Sequence, residues 1–440
     1  MQEITLPPLE RRLQRRYHKL VLSHMRNPSS LAAGVASLPD KGKAFAATQA
    51  SWRFFNNDRC TLPVLVEPLR DAGRTGVADT TAPFAMLIHD WSKLTYSPGR
   101  SEGGKRDLVQ LTHANDIGYE LTTSLLVSAD DGSPLAPMEL HCLTGDGVLS
   151  TRVTPPQKLD HLEQVLPTMT ASKTWGLTKP LLHVIDREAD SVGHFRRWHK
   201  AGHKFLVRAD DRRVTWDGKP CRLSDIRRTL GLGRKLQRAG QTGGASYRGR
   251  PATLFVAETE VVLDRPAKKK IDGKSVAVPG IALKLRFIVV QLRDDNGKSL
   301  AEWMLLSNAP REWATTEHLA RCYYWRWQIE SFFKLLKSHG HQLESWRQES
   351  GPAIARRLLV ASMACVVVWQ LEHDDSAAAT EFKDVLVRLS GRQVKKKKRH
   401  TAPALLAGLW VLLSMLALLE HTDLEELKRL AAQVSFSPTG

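Results

Sequence analysis

The sequence has few cysteines and no motif that uses them. Its five cysteines lie far apart among 440 residues, and no two of them have the Cys-x2-Cys spacing of a zinc site. This pattern argues against a zinc finger and favours a protein of the reducing cytosol. The cysteines are Cys60, Cys142, Cys221, Cys322 and Cys365.

The sequence also has little that would direct it to a membrane. Residues 1–8 lack the basic and apolar regions of a signal peptide, so we expect no export. The apolar run 404–419 contains Ser414, is followed by Glu420, and falls short of the roughly 20 residues that a membrane span needs. We therefore expect no membrane partner, and a helix at 404–419 that is buried in the protein or in a dimer interface.

Acidic residues are outnumbered by basic ones. The 64 Lys and Arg against 46 Asp and Glu give a formal net charge of +18 and a pI near 9.8. A basic chain suggests a polyanionic partner, and DNA is the simplest candidate because neutralised phosphates release counterions. Proteins of the ribosome or of a membrane surface share this balance. With 42% hydrophobic residues, the chain can bury a large core and is expected to form two or three domains.

The most informative segment is 323–337. If it is helical, Tyr323, Arg326, Glu330 and Lys337 fall within roughly 60° of arc, because each residue advances by about 100°. Lys334 joins the same polar stripe. An ordinary amphipathic helix with a solvated polar face is the alternative. The opposite, apolar face carries Trp325, Ile329, Phe332, Phe333 and Leu336.

Two apolar runs end in an aspartate. Residues 84–89 lead to Asp90, and residues 181–185 lead to Asp186. Buried strands read as continuous apolar runs, and their carboxyl ends often carry chemistry. Asp90, Asp186 and Glu330 are therefore a candidate carboxylate triad. Four histidines, His89, His183, His339 and His341, are not assigned to the metal site, and the first two are expected to be core residues.

At these positions the sequence resembles the IS-four family of DDE transposases of bacterial insertion sequences, to which the transposon Tn-five transposase belongs. The family signature Tyr-x2-Arg-x3-Glu-x6-Lys matches Tyr323, Arg326, Glu330 and Lys337 at every spacing. The string Asp-Arg-Glu-Ala-Asp, which commonly opens with the second aspartate, stands at 186–190. The segment 50–57 is similar to an aromatic motif of the amino-terminal domain of the family.

The resemblance implies an α/β fold with a ribonuclease H-like catalytic core at 71–370 and a β-rich insertion at 209–310. It also implies a helical domain at 1–70 that binds transposon-end DNA, with Arg53 among its contacts, and a helical dimerisation region at 371–440. The sequence independently suggests the required order of elements. The predicted strands are 84–89, 119–127, 137–142, 181–185 and 203–208, and the predicted helices are 157–168, 189–201 and the one through Tyr323.

The resemblance further implies a site that holds two Mg²⁺ ions, for which Mn²⁺ could substitute. Two ions roughly 3.5–4 Å apart activate the attacking hydroxyl and stabilise the leaving oxygen, and carboxylates are their preferred ligands. Asp90 is expected to bridge them, with Asp186 and Glu330 completing one ion each.

The remaining stripe residues are expected to contact DNA. Arg326, Lys334 and Lys337 supply positive charge to the backbone, and Tyr323 supplies a hydroxyl. Arg208 matches a DNA-contacting arginine of the family. Trp303 matches the tryptophan that receives a flipped base during hairpin formation, and a core tryptophan is the alternative.

These expectations describe a cut-and-paste DNA transposase of a bacterial cytoplasm, associated with the nucleoid, acting as a homodimer on paired inverted-repeat ends and on target DNA. The alternatives are a catalytically inactive DNA-binding protein derived from a transposase, and a nuclease of the same fold. Trp91 and Ser92 depart from the small hydroxyl residues that relatives carry after the first aspartate. The basic run 395–399 is either a solvated loop or a DNA contact.

Overall fold

The structure is a computed structural model that describes residues 4–26, 41–96, 105–113, 116–231, 237–238, 245–271, 274–392 and 400–433. The basic run 395–399 lies outside the described residues. The protein is a mixed α/β structure with one large mixed sheet.

The described residues form helices at both ends of the chain and between strands of the sheet. They are α1 (Arg11–Arg26), α2 (Lys41–Phe55), α3 (Leu62–Leu65), α4 (Glu67–Ala78), α5 (His161–Ser172), α6 (Val192–Lys200), α7 (Leu223–Gly231), α8 (Thr316–Tyr324), α9 (Trp327–Leu336), α10 (Gly351–His373), α11 (Ala377–Leu389), α12 (Ala402–Leu419) and α13 (Leu424–Gln433).

The strands lie between residues 85 and 307. They are β1 (Ala85–Thr95), β2 (Val109–Gln110), β3 (Ile117–Val127), β4 (Pro134–Thr144), β5 (Gly147–Ser150), β6 (Leu181–Ile185), β7 (Lys204–Arg208), β8 (Arg213–Trp216), β9 (Lys219–Arg222), β10 (Gln237–Arg238), β11 (Ala245–Tyr247), β12 (Arg250–Leu263), β13 (Ala267–Ile271), β14 (Lys274–Val278), β15 (Leu283–Arg293) and β16 (Ser299–Ser307).

The sheet has the order β5-β4-β3-β1-β6-β7-β16-β15-β12-β8-β9. Strand β3 pairs antiparallel with both β1 and β4, whereas β6 pairs parallel with both β1 and β7. The predicted strand at 181–185 has the observed bounds of β6, and the other four predicted strands overlap β1, β3, β4 and β7.

The β-rich segment after β7 continues this sheet. Strand β16 pairs antiparallel with β7, and β15 and β12 follow in the same sheet. A hairpin turn at 294–297 joins β15 to β16, with Gly297 at φ +77° in the left-handed region that glycine adopts readily. The inserted residues thus add strands directly to β7, at the edge of the strands β5-β4-β3-β1-β6-β7 that carry the aspartates.

Hydrophobic clusters cover both faces of the sheet. The smaller cluster joins Phe195 and Trp198 of α6 to Phe205 of β7 and Phe287 of β15. The larger cluster contains side chains of β1, β3 and β4 together with those of α1, α4, α9 and α10. Burial of both faces explains why β1 and β6 read as continuous apolar runs rather than alternating ones.

The helix predicted through 323–337 is two helices, which corrects the expectation of a single stripe-bearing helix. The break lies at Trp325 and Arg326, where the bonds Gln328 N–H to Trp325 O (2.9 Å) and Ile329 N–H to Arg326 O (3.3 Å) close three-residue turns. Both residues keep right-handed helical angles, so the chain changes register without reversing direction.

The carboxy-terminal helices differ in burial. Helices α10 and α12 are both long and apolar enough to cross a membrane by length and composition, with 89% and 33% of their apolar windows buried. Most of α10 is therefore a core helix, as expected of an apolar helix packed among α1, α4 and β4. Helix α12 packs against α1 and α11 and exposes Met415, Leu416 and Leu419.

Candidate functional site

Two of the three predicted carboxylates lie where β6 ends beside its parallel neighbour β1, which itself continues to Thr95. In the β1–β6 ladder His89 is level with Ile185, so Asp90 and Asp186 both follow directly on that pair. Because the two strands are parallel and His89 is level with Ile185, the two aspartates lie side by side. Asp190, the last aspartate of the same string, instead pairs with Arg212 at 2.6 Å and does not join them.

The third carboxylate comes from α9, which packs against β1. Glu330 stands in the first turn of α9, and the guanidinium of Arg326 connects it to the strand residues. Arg326 Nη2 lies 2.7 Å from Glu330 Oε1 and 3.8 Å from Asp186 Oδ2, and Nη1 lies 3.1 Å from Asp90 Oδ2. The structure thus brings Asp90, Asp186 and Glu330 together around one buried cation.

Backbone and side-chain donors hold the two aspartates. The Trp91 N–H donates to Asp90 Oδ1 at 2.8 Å, and the Arg187 N–H donates to Asp186 Oδ1 at 2.6 Å. The Tyr323 hydroxyl donates to the same Asp186 oxygen at 3.2 Å. Tyr323 and Arg326 are therefore both in direct contact with the carboxylates.

Burial governs the electrostatics of this cluster. Burial raises the pKa of Asp90 to about 6, although the Arg326 guanidinium and the Trp91 N–H oppose the rise. Burial also raises the pKa of Tyr323, and the Asp186 charge adds to that rise. Burial alone would lower the pKa of Arg326, but Tyr323 and the surrounding carboxylates raise it overall, so Arg326 is a permanent cation.

The two stripe lysines lie further along α9. Lys337 caps the helix, donates to the carbonyl oxygen of Lys93 on β1, and lies 3.3 Å from Glu344. Lys334 is exposed and lines a groove of about 420 Å³ beside the helix. The stripe therefore runs from the carboxylates towards Lys93 and the short 3-10 helix Leu343–Ser345 that contains Glu344.

The other predicted DNA contacts have different surroundings. Arg208 is half-buried at the end of β7, and its charge partly opposes the rise that burial causes in the pKa of Tyr323. Trp303 is only 6% exposed and meets the Tyr323 ring edge to face at 5.3 Å. Its position is that of the core tryptophan named as the alternative, and stacking of a base on it would require Trp303 or Tyr323 to move.

Arg53 lies at a separate basic surface. It lines a groove of about 700 Å³ between α1 and α2. The remaining basic residues of this groove are Arg12, Arg15, Arg16, Lys19 and Arg59.

Sequence reasoning missed two residues near the carboxylates. Trp327 follows Arg326 and is 45% exposed, with the guanidinium 5.5 Å from its ring centre. The sequence contained a signal for this exposure, because Trp327 does not belong to the apolar face of the predicted helix. Glu344 had no such signal, because its contact with Lys337 depends on the path of the loop after α9. His89 and His183 are confirmed as core residues, because both side chains are buried. His89 Nε2 lies 3.0 Å from His183 Nδ1, and His89 Nδ1 contacts the Ser124 hydroxyl.

Whether these residues fit a divalent ion follows from their chemistry. Three carboxylates from three separate elements are hard oxygen ligands of the kind that Mg²⁺ or Mn²⁺ selects, and they already share one cation. In the described parts of the chain, no group of three His, Cys, Asp or Glu side chains is placed closely enough to hold a metal ion. The three carboxylates are therefore of the right chemical type for Mg²⁺ or Mn²⁺, but the guanidinium of Arg326 lies between them.

The chain was compared with curated proteins, with solved structures and with protein families. A search of curated proteins finds no match. Among solved structures, the chain is similar to the piggyBac transposase in a cryo-EM synaptic complex with hairpin DNA, at 11% identity and a TM-score of 0.37, over 94% of this chain and 73% of the other. Residues 132–367 match the family described as Transposase DDE domain. This segment includes Asp186 and Glu330 and begins after Asp90. Because it spans more than half of the sequence, the chain belongs to the family of transposases with a DDE domain.

Proposed function

We propose that this protein is a cut-and-paste DNA transposase of the IS-four type, with Asp90, Asp186 and Glu330 as its catalytic carboxylates. The observation that carries the proposal is the meeting of these three side chains, from β1, from the residue after β6 and from α9, at one point. The order of the elements, with an aspartate on the first strand and a glutamate on a late helix, supports a ribonuclease H-like core.

Transposase DDE domains generally use divalent metal ions, and the three carboxylates are the residues that would hold them. We propose Mg²⁺ or Mn²⁺, two per site. When bound, such ions lower the pKa of an attacking water or 3′-hydroxyl and stabilise charge on the leaving oxygen. The chain contributes the alignment: the Trp91 and Arg187 amides fix one oxygen of each aspartate, which leaves the other oxygen directed at the shared centre.

The cations along α9 give the DNA backbone a path across the site. Arg326 supports phosphate binding by its forked donors, and Lys337 and Lys334 support it as point charges. Tyr323 lies at the site with a hydroxyl that a phosphate oxygen could accept. Arg208 would extend this path from the end of β7.

Hairpin formation at the cut ends is part of this proposal. It requires an aromatic surface for an unpaired base. Trp303 supplies that surface only if its contact with Tyr323 opens, since its ring is buried.

The arginine-lined groove of α1 and α2 supports recognition of the transposon ends by residues 1–70, with Arg53 among the contacts. Its cations lie on one surface, which is the usual electrostatic footprint of a DNA-binding module. The exposed apolar residues of α12 support dimerisation through residues 371–440. A homodimer would hold both element ends together, in the cytoplasm and on the nucleoid.

The proposal is tested by incubating the purified protein with Mg²⁺ and a plasmid that carries the DNA flanking its own gene. Products are separated on a denaturing gel for the wild type, for Glu330→Ala and for Glu312→Gln. Glu312 is the control because its carboxylate is exposed in the turn before α8. We expect excised fragments with hairpin ends from the wild type and from Glu312→Gln, and none from Glu330→Ala. Bound but uncut DNA for all three proteins would indicate an inactive DNA-binding protein, and cut DNA without strand transfer would indicate a nuclease.

A further inference from the structure

The guanidinium of Arg326 uses the carboxylate oxygens that a metal ion would need. It pairs with Asp90 Oδ2, Asp186 Oδ2 and Glu330 Oε1. The Trp91 and Arg187 amides take the remaining oxygens of the aspartates. Among the described residues, Glu330 Oε2 is the one oxygen of the six without a hydrogen-bond or ion-pair partner.

Arg326 is held in this position by its own surroundings. It lies at the break between α8 and α9 and is 5% exposed. Its guanidinium carbon lies 5.9 Å from the ring centre of Tyr323 and 5.5 Å from that of Trp327. Among the described residues its Nε has no hydrogen-bond partner. The aromatic rings and the three carboxylates together define one pocket for the guanidinium.

A divalent ion and the guanidinium compete for the centre between these oxygens. A metal ion needs direct bonds of about 2.0–2.1 Å to several carboxylate oxygens. Arg326 separates the same oxygens by the width of a guanidinium, and two cations in one buried pocket would repel each other. Metal ions can therefore bind all three carboxylates only after Arg326 has left.

We propose that Arg326 is an internal counter-cation that occupies the metal position while no DNA is bound, and that a DNA phosphate draws it away and so opens the site to metal ions. This inference rests on the proposed function for the role of DNA. The competition itself rests on the contacts of Arg326 alone. It means that the enzyme acquires its metal ions when DNA is in place, which limits cutting by protein that is not engaged on an element end.

The test measures Mn²⁺ binding to full-length protein without DNA, by the electron paramagnetic resonance signal of free Mn²⁺. The variants are Arg326→Gln and Arg187→Gln. Arg187 is the matched control, because its side chain is 58% exposed and pairs with Asp210, so its loss removes one positive charge beside Asp186 without freeing a carboxylate oxygen of the triad. We expect Arg326→Gln to bind Mn²⁺ at least about tenfold more tightly than wild type, and Arg187→Gln to stay within about threefold.

Two further measurements complete the design. Adding Asp90→Asn to Arg326→Gln should abolish the gain, which assigns the bound Mn²⁺ to the triad. In the wild type, adding a short duplex of element-end DNA should raise the affinity for Mn²⁺. The same duplex should give a smaller gain in the Asp90→Asn protein. This arm needs no Arg326 variant and so remains decisive if that variant does not fold.

The outcomes separate this inference from the proposed function. Tighter Mn²⁺ binding by Arg326→Gln supports the inference whether or not the protein cuts DNA. Equal gains for Arg326→Gln and Arg187→Gln would overturn it, because the effect would then be general electrostatics. A wild-type protein that cleaves DNA, beside an Arg326→Gln variant that binds Mn²⁺ no more tightly, would overturn the inference and leave the proposed function standing.

Discussion

The ion pair between Arg326 and Glu330 should be strongly coupled in the folded protein. Its atoms lie 2.7 Å apart, and the side chains are 6% and 29% exposed, so solvent screens the pair weakly. A hydrogen bond to a charged group contributes about 1.5–3 kcal/mol, and part of this is offset by the desolvation of the guanidinium. We therefore expect a coupling free energy of about 1.5–2.5 kcal/mol.

The perturbation is a double-mutant cycle of Arg326→Gln, Glu330→Gln and both together, in the absence of metal ions. Arg326→Gln should cost about 2–4 kcal/mol, because Asp90 also loses its partner, and Glu330→Gln about 1–2 kcal/mol. The free energy of unfolding is measured by urea denaturation followed by tryptophan fluorescence, with unchanged slopes as the sign of an unchanged native state. A coupling within about 0.5 kcal/mol of zero would refute the reasoning, since neighbours that do not interact add independently.

Three further predictions concern the core and the DNA path. In the folded protein, burial would raise the pKa of Glu139, but hydrogen bonds from His141 and Arg152 hold this pKa well below its ordinary 4.5. The ionised carboxylate therefore stabilises the fold above pH 4.5, and this contribution is lost as the pH falls through the folded pKa. Glu139→Gln should flatten the acid limb of the curve of unfolding free energy against pH, and an unchanged limb would contradict this. Replacing the buried Trp303 by Ala should cost about 3–5 kcal/mol in urea denaturation, whereas the same change at the 45% exposed Trp327 should cost less than about 1 kcal/mol, and equal costs would refute the assigned burial. Glu344→Gln should tighten DNA binding about two- to fivefold in fluorescence anisotropy, because it removes the carboxylate 3.3 Å from the Lys337 ammonium group, and weaker binding would argue that this carboxylate only positions the lysine.

Much of the central sheet could be predicted from the sequence because its strands are buried on both faces. The run 181–185 is apolar throughout, so the position of the following aspartate, Asp186, was readable from composition. The same reasoning placed Asp90 at the end of an apolar run, although β1 continues to Thr95 beyond it. The polar residues of that extension pair with β3, and pairing of this kind leaves no apolar signature.

The break between α8 and α9 could not be predicted from periodicity. Three-residue turns at Trp325 and Arg326 preserve the side-chain direction to within a fraction of a turn, so the spacing of the polar stripe remains helical. The consequence for the site is large, because the break positions Arg326 as the residue that joins all three carboxylates. Local spacing indicates which residues face one way, but not that one of them will neutralise the others.

The burial of Trp303 shows a different limit of prediction from sequence. An alternating strand pattern cannot distinguish a tryptophan that lines a binding site from one that packs against a neighbouring helix. The choice is made by Tyr323, which is twenty residues later in the sequence and covers the indole ring. Similarly, β16 joins the edge of β7 through backbone hydrogen bonds, so its side chains gave no sign that the inserted strands extend the sheet that carries the aspartates.

The most direct test of the carboxylate site is the cleavage rate of labelled element-end DNA by Asp186→Asn, compared with Glu188→Gln as its control. Glu188 lies in the same Asp-Arg-Glu-Ala-Asp string, is 63% exposed and contacts His161 rather than the cluster around Arg326. The account predicts that the cleavage rate of Asp186→Asn falls by more than the roughly 10- to 100-fold that is typical when a residue that only supports a metal ligand is lost. The rate of Glu188→Gln should stay near that of the wild type. Cleavage by Asp186→Asn at the wild-type rate, or an equal loss in both variants, would contradict the assignment of Asp186 to the catalytic centre.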